Sequence, residues 1–275
     1  MRVALAQLAP KLGAVDANVA RAAELVRQAA GDRADLIVLP ECALSGYAVA
    51  QAQTDTAVSG DDHRLIGLSS VAGDAALVVG FHELAEDGRR HSSMAWLEGG
   101  RVTELHRKVH LSGGRWDEAR SFAPGRSIAA FDTSLGRAAL LVCNDAWHPV
   151  LPWLAAGDGA KLLVVSAASA DPLPGERLDI ASTWDDLLVT MARLLQVVVV
   201  FVNRSGEEAG LRYWGGSRVI DPWGTELVRA GREEGVTVVD VAPRSVAAAR
   251  AEYDVAGDRR LDVVASVVAR LRQAG

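Results

Sequence analysis

The chain has 275 residues, 49% of them hydrophobic and 23% charged, a balance that excludes disorder. A chain of this length buries enough surface to need no disulfide or metal staple. Its formal net charge of −6 excludes the basic surface of a phosphate-backbone binder, so no nucleic-acid partner is expected.

The opening apolar stretch, residues 1–8, is too short for a signal peptide, and Gln7 and Pro10 interrupt it. No segment approaches the ~18 uninterrupted apolar residues of a membrane span, so no membrane partner is expected. The two cysteines exclude a disulfide framework and fit a reducing, cytoplasmic setting.

In chain order, residues 3–8 read as a strand. Residues 18–30 read as a helix with Val19, Ala22, Ala23, Val26 and Ala30 on one side. A strand at 36–39, a short helix at 61–71 and a strand at 76–81 follow. Segments 92–97 and 102–106 alternate in polarity and pair around Glu98-Gly99-Gly100. Strands at 138–143 and 162–166 flank a short helix at 149–156. A long helix spans 179–195, opens on Asp179 and carries Leu187, Leu188, Met191, Leu194 and Leu195. The run 197–202 is apolar on both faces, as in a sheet covered on both sides. Weaker strands at 212–220, 226–228 and 236–241 precede a last helix at 261–273, with a turn at Asp221-Pro222-Trp223-Gly224. Alternating strands and helices predict an α/β fold, and the hairpins predict mixed sheets. With no linker or repeat, residues 1–275 read as one domain.

In such layered folds, chemistry gathers where strands end. Glu41 follows the strand 36–39, Lys108 follows 102–106, and Cys143 ends 138–143. Singly, each has a plain structural reading: a cap, a solvated cation, a small buried residue. Together they offer a base, a cation for a developing oxyanion and a thiol nucleophile, which acyl transfer needs.

The blocks around these residues resemble the nitrilase superfamily of carbon–nitrogen hydrolases over nearly the whole chain. Leu39-Pro40-Glu41-Cys42-Ala43-Leu44-Ser45-Gly46-Tyr47 is similar to its catalytic-Glu motif. His106-Arg107-Lys108-Val109-His110-Leu111 resembles the catalytic-Lys motif, and Leu141-Val142-Cys143-Asn144-Asp145-Ala146-Trp147-His148-Pro149 the nucleophile elbow. Supporting blocks fall in the same order. Ala6-Gln7-Leu8-Ala9-Pro10 resembles the opening strand. Glu118 with Phe122, Pro124 and Gly125 resembles the stretch holding a second active-site Glu. Asn203-Arg204-Ser205-Gly206 and the block 216–224 resemble the late strands.

The resemblance implies a four-layer α-β-β-α sandwich with two packed mixed sheets, assembled as a homodimer or higher homo-oligomer. It implies that Cys143 attacks the substrate carbon, Glu41 moves protons, Lys108 and the Asn144 N–H hold the oxyanion, and Glu118 positions Lys108. The implied activity is hydrolysis of a small amide or carbamoyl compound through a Cys thioester. Nitrile hydrolysis, or ligand binding without catalysis, are the alternatives. A Cys beside an ammonium is expected to favour its thiolate.

Departures are visible. Asn144-Asp145 stands where relatives carry an aromatic and then Asp, and Leu194-Leu195 where an acidic–amide pair is expected. Tyr47, Trp116, Asn144, Trp147 and His148 are the candidate substrate-binding residues, with Trp214 also near the expected pocket. Arg115 and Arg120 are candidates for a substrate carboxylate or are solvated. Trp153 and Trp184 lie on helices and read as packing or interface. Cys42 reads as a buried small residue. His106 and His110 are four apart, but the strand ends at His106, so its period does not set the two on one face, and no third ligand is spaced nearby. Neither a metal nor a cofactor is expected.

Overall fold

Residue parity on the strands decides which layer each side chain enters. On β1 (Arg2–Gln7), Val3 and Leu5 face one way, and Ala4 and Ala6 face the other. On the strand Leu162–Ala167, Leu162 and Val164 join the same inner layer as Val3 and Leu5, while Leu163, Val165 and Ala167 face outward. Two sheets with apolar inner faces therefore stack, and each needs a second apolar layer on its outer face.

The computed structural model describes residues 1–114, 118–171, 177–242, 244–255 and 257–274. After β1 come α1 (Val15–Gly31), β2 (Leu36–Val38), α2 (His63–Ala72), β3 (Ala76–Leu84), β4 (Arg90–Glu98) and β5 (Arg101–Arg107). Next are β6 (Phe131–Thr133), β7 (Gly136–Val142), α3 (Val150–Gly157), β8 (Leu162–Ala167), α4 (Ile180–Leu195) and β9 (Val198–Asn203). The chain continues through β10 (Ser205–Glu208), β11 (Leu211–Trp214), β12 (Arg218–Ile220), β13 (Glu226–Arg229), β14 (Gly235–Asp240), α5 (Ser245–Glu252) and α6 (Leu261–Ala274).

The first sheet runs β14-β1-β2-β3-β4-β5 and the second β13-β12-β9-β8-β7-β6. Each has three parallel strands, β1-β2-β3 or β7-β8-β9, flanked by antiparallel ones. Helices α1 and α2 cover the first sheet, and α3 and α4 the second. The predicted α-β-β-α sandwich with two mixed sheets is the fold. The carboxyl ends of β2, β5, β7 and β8 deliver the site, so register in both sheets places its residues.

Differences from the sequence reading have local causes. The stretch 212–220 is two strands, because Gly215 and Gly216 both take positive φ and a Cβ at Gly215 would lie 2.4 Å from Gln7 Nε2. Helix α1 starts before Asn18, whose buried side chain bonds Lys11 N (2.8 Å), Lys11 O (2.8 Å) and Leu44 O (3.0 Å). Helix α4 starts as predicted, with Asp179 accepting from Ser182 N at 2.9 Å.

The two inner faces meet at Leu140 on β7, which is 1% exposed. Leu140→Ala removes three side-chain carbons, a methine and two methyls, from the buried layer between the sheets, and is expected to cost about 2–5 kcal/mol. Urea unfolding of the two proteins measures it. A loss under about 1 kcal/mol would mean that the interface between the sheets is loosely packed.

Candidate active site

Glu41 sits on a turn squeezed between the sheets. Beyond β2 the backbone crosses β3 at Gly80, where a Cβ would lie 2.3 Å from Pro40 O and 2.7 Å from Glu41 Cα. Glycine is required there for close approach, whatever its φ. The Ala43 N–H donates to Gly80 O (2.8 Å), and Ser166 Oγ on β8 donates to Leu39 O (2.8 Å). Both sheets thus hold the turn.

Lys108 follows β5. Its N–H donates to Ser92 O on β4 (2.9 Å), and its carbonyl accepts from Gly125 N (2.7 Å). Gly125 also allows close passage, since a Cβ there would lie 2.1 Å from Arg107 O. The Lys108 side chain is fully buried. Its Nζ donates to Glu41 Oε1 (2.9 Å) and to Glu118 Oε1 (2.7 Å). Glu41 accepts further from Ser92 Oγ (3.3 Å) and from Ala168 N (2.8 Å). Glu118, on a single 3-10 turn at Glu118–Arg120, accepts from the Tyr47 hydroxyl and from Ser112 N (2.7 Å).

The electrostatics follow from one cation between two buried carboxylates. Burial works against the Lys108 charge, but Glu41, Cys143 and Glu118 outweigh it and hold the ammonium well above the usual lysine range. Burial pushes the Glu41 carboxyl up; Lys108 restrains that rise and Glu118 adds to it. Burial, then Glu118 and Glu41, raise the Tyr47 phenol, so it stays a donor.

Cys143 departs from the sequence expectation in two ways. Strand β7 ends at Val142, and Cys143 opens a 3-10 turn, Cys143–Trp147, with φ of 45°. That left-handed backbone is strained for a residue with a Cβ, and such strain gathers at functional turns. The thiolate is also not favoured. Burial pushes the thiol well above its usual range and Glu41 adds to that, while Lys108 and the Ala168 N–H oppose it only in part. The sequence reading counted the ammonium but not the burial or the two carboxylates. Cys42, also left-handed at φ of 51°, is buried, with its Sγ 3.9 Å from Ser92 Oγ.

Asp145, noted in the sequence only as part of a departure, joins the Lys108 segment to the Cys143 turn. It is fully buried. Its Oδ1 accepts from Val109 N (3.0 Å) and His110 N (2.8 Å), and its Oδ2 from Val142 N (3.2 Å). His106 Nε2 lies 2.9 Å from Oδ2. Both histidines considered as a metal pair therefore approach one carboxylate, and His110 stacks on His148 with ring centroids 3.6 Å apart. Glu208 was also missed. It accepts from Tyr47 N (2.9 Å) and Ala48 N (2.8 Å) while buried Arg204 donates to it (2.8 Å), which fixes the segment carrying Tyr47.

A cavity of about 230 Å³ opens at Cys143. Of the candidate binding residues, Tyr47, Asn144 and Trp147 line it. His148 lies outside the lining and is exposed. Trp116 and Arg115 fall outside the described residues, and Arg120 is exposed. Trp184, read as packing, is fully buried yet forms part of the wall, as does Ile180. Trp214 packs behind that wall through Phe201, and Trp153 lines a separate groove between α3 and α4. Only the helical period of α4, which sets Trp184, Leu188, Met191 and Leu195 on its buried face, signalled Trp184.

The chain resembles known proteins over almost all of its length. The family model described as carbon-nitrogen hydrolase matches residues 2–251. An (R)-stereoselective amidase of Pseudomonas sp is 33% identical over 266 residues, 95% of this chain and 92% of that one. An omega-amidase of Mus musculus is 30% identical over 259 residues, 90% of each. The crystal structure of an amidase from Nesterenkonia sp. is 27% identical, covers 97% of this chain and 95% of its own, and superposes with a TM-score of 0.81. A carbon-nitrogen hydrolase from Helicobacter pylori G27 shares the fold at a TM-score of 0.86 and 20% identity, covering 98% of both chains. With the family matched from residue 2 to residue 251 and an amidase one third identical across nearly its whole length, this chain belongs to the carbon–nitrogen hydrolase family.

Proposed function

We propose that the protein hydrolyses a small carboxamide through a thioester on Cys143. The observation that carries this reading is the buried Lys108 ammonium, held between Glu41 and Glu118 beside the strained Cys143 turn. The amidase and omega-amidase relatives support amide C–N cleavage as the class of reaction. A structure of a glutamate-to-glutamine mutant of the Nesterenkonia sp. AN1 amidase supports the nucleophile, since it has acrylamide added at that protein's active-site cysteine.

The steps balance as follows. Glu41 takes the thiol proton as the Cys143 sulfur attacks the carbonyl carbon. Negative charge moves to the carbonyl oxygen, where the Lys108 ammonium and the Asn144 N–H stabilise it. The C–N bond breaks, Glu41 returns its proton to the departing nitrogen, and ammonia or an amine leaves. Water then attacks the thioester with Glu41 as base, releasing the acid and restoring the thiol. A neutral thiol suits this sequence, because its proton moves only when a carbonyl is in place. Glu118 keeps Lys108 aimed, and Tyr47 and Ser112 keep Glu118 aimed.

Incubation with an amide panel is expected to release ammonia, and Cys143→Ala to release none. Intact mass spectrometry of the wild-type protein, acid-quenched during turnover, should show an acyl increment at Cys143, and Glu41→Gln, which lacks the base that takes the thiol proton, should show none. Ammonia release that persists in Cys143→Ala would overturn the reading.

The raised Glu41 pKa sets the acid limb of kcat/KM. Protonated Glu41 cannot accept the thiol proton, so activity falls as pH drops through the folded value, which lies above the ordinary Glu value of about 4.3. A pH–rate profile with its acid midpoint at or below that value would remove Glu41 from the role.

Asp145 titrates in the opposite sense. Burial alone would raise it, but His106 and the N–H groups of His110 and Val142 bring it below the usual Asp range. Its contribution to stability is thus present above the unfolded carboxyl pKa and is lost as pH falls through the lowered folded value. Asp145→Ala leaves three buried N–H groups without acceptors and is expected to cost about 3–5 kcal/mol in denaturant unfolding. A value near zero would mean that Asp145 does not hold the two segments together.

A further inference from the structure

Several polar side-chain atoms of the cavity wall are already engaged with the protein. The Tyr47 hydroxyl donates to Glu118. The Trp184 Nε1–H donates to Ser169 Oγ (3.0 Å), as does that of Trp214 from behind (3.3 Å). The Asn144 amide donates to His110 O (3.1 Å). Carbon is the larger share of what faces the space, from the rings of Tyr47, Trp147 and Trp184 with Ile180 and Ala170 beside them, and polar groups of the lining residues Ser112, Gly113, Asn144 and Ser169 make up the rest. Among the described residues, no charged side chain lines this cavity. The charges of Glu41, Lys108 and Glu118 are paired with one another below Cys143.

The wall is also rigid. Trp147 meets Trp184 edge to face, with centroids 5.6 Å apart at 88°. Trp184 leans on Phe201 at 4.7 Å, and Phe201 stacks on Trp214 at 5.8 Å. The Arg218 guanidinium lies over both Trp214 (5.5 Å) and Phe201 (5.7 Å), is 1% exposed and pairs with Asp185 on α4. Four rings in mutual contact, backed by a paired cation, hold one another in place.

Resting on the amide-hydrolase reading, we propose that the acyl pocket takes an uncharged, apolar acyl group and rejects acyl groups ending in a carboxylate. The volume of about 230 Å³ sets the size. That is below the roughly 300–1,000 Å³ of pockets for drug-sized ligands, so it suits a small acyl group. Branched aliphatic and single-ring acyl groups are of that size. A dicarboxylic monoamide of the same size would set an anion against indole carbon with no charged partner among the described lining residues, at a cost in desolvation. The aromatic corner of Trp147 and Trp184 instead rewards a flat or branched apolar group.

The test compares matched amides on the wild-type protein: isovaleramide and benzamide against succinamate. The neutral amides are expected to exceed succinamate in kcat/KM by about 100-fold. Ile180→Lys adds a cation at the half-buried first residue of α4, and should narrow that ratio about tenfold by raising succinamate turnover. Circular dichroism and an unchanged thermal unfolding midpoint check that the variant is folded. Equal or better turnover of succinamate by the wild-type protein would overturn the proposal. A separate arm does not depend on turnover: calorimetric binding to Cys143→Ala. Tighter binding of isovaleramide than of succinamate supports the pocket assignment, and the reverse order overturns it. If neither amide class is hydrolysed yet the binding order holds, the hydrolase reading falls and the pocket assignment stands.

Discussion

A buried ammonium is the constraint on which the site depends. Taking the Lys108 charge out of water costs several kcal/mol unless partners surround it. Glu41 and Glu118 both bond its Nζ, and each then needs donors for its remaining oxygen lone pairs. Ser92 and Ala168 supply Glu41, and Tyr47 and Ser112 supply Glu118. These donors come from both sheets and from separate loops, so satisfying one charge fixes the relative position of the two halves of the sandwich. The two glycines follow from the same demand, because Gly80 and Gly125 let backbone approach closely enough for the carboxylate and ammonium to meet.

Asp145 solves a second problem of geometry. Lys108 comes from the edge region of the first sheet and Cys143 from the second, with no strand pairing between them. One buried carboxylate accepts backbone N–H groups from both segments. The cluster around Lys108 has two acids and one cation, and burial pushes the Glu41 carboxyl up there. Asp145 is instead held below the usual Asp range by its donors. The chain thus keeps one carboxylate for holding and another, Glu41, whose raised pKa suits proton transfer.

What could be read in the sequence was what repeats or clusters locally. The two-sided apolar strands, the hairpin at Gly99-Gly100 and the amphipathic α4 all carry their signal within a few residues. Glu41, Lys108 and Cys143 stood out because each closes such a strand. Strand β10 did not, because Ser205-Gly206-Glu207-Glu208 has polar composition and is made a strand by pairing with β11. The acceptor roles of Asp145 and Glu208 were invisible for a similar reason: their partners lie 35–36 and 160–161 positions away, or beside a turn whose shape the sequence does not print. The thiol's raised pKa belongs to the same class, since it depends on burial and on two carboxylates delivered by other loops.

The short turn Cys143–Trp147 ties reactivity to selectivity. Five consecutive residues carry the proposed nucleophile, a lining amide at Asn144, the anchoring carboxylate at Asp145 and the aromatic wall at Trp147. A 3-10 turn eclipses residues three apart and has little slack, so a displacement at one position carries to its neighbours. Trp147 in turn packs on Trp184, which reaches the core through Phe201. On the proposed mechanism, a substitution in the Trp147 wall acts on the same turn that carries Cys143, so acyl preference and rate of attack are coupled. The arrangement ties the fit of the acyl group to the aim of the thiol, because the same turn carries both.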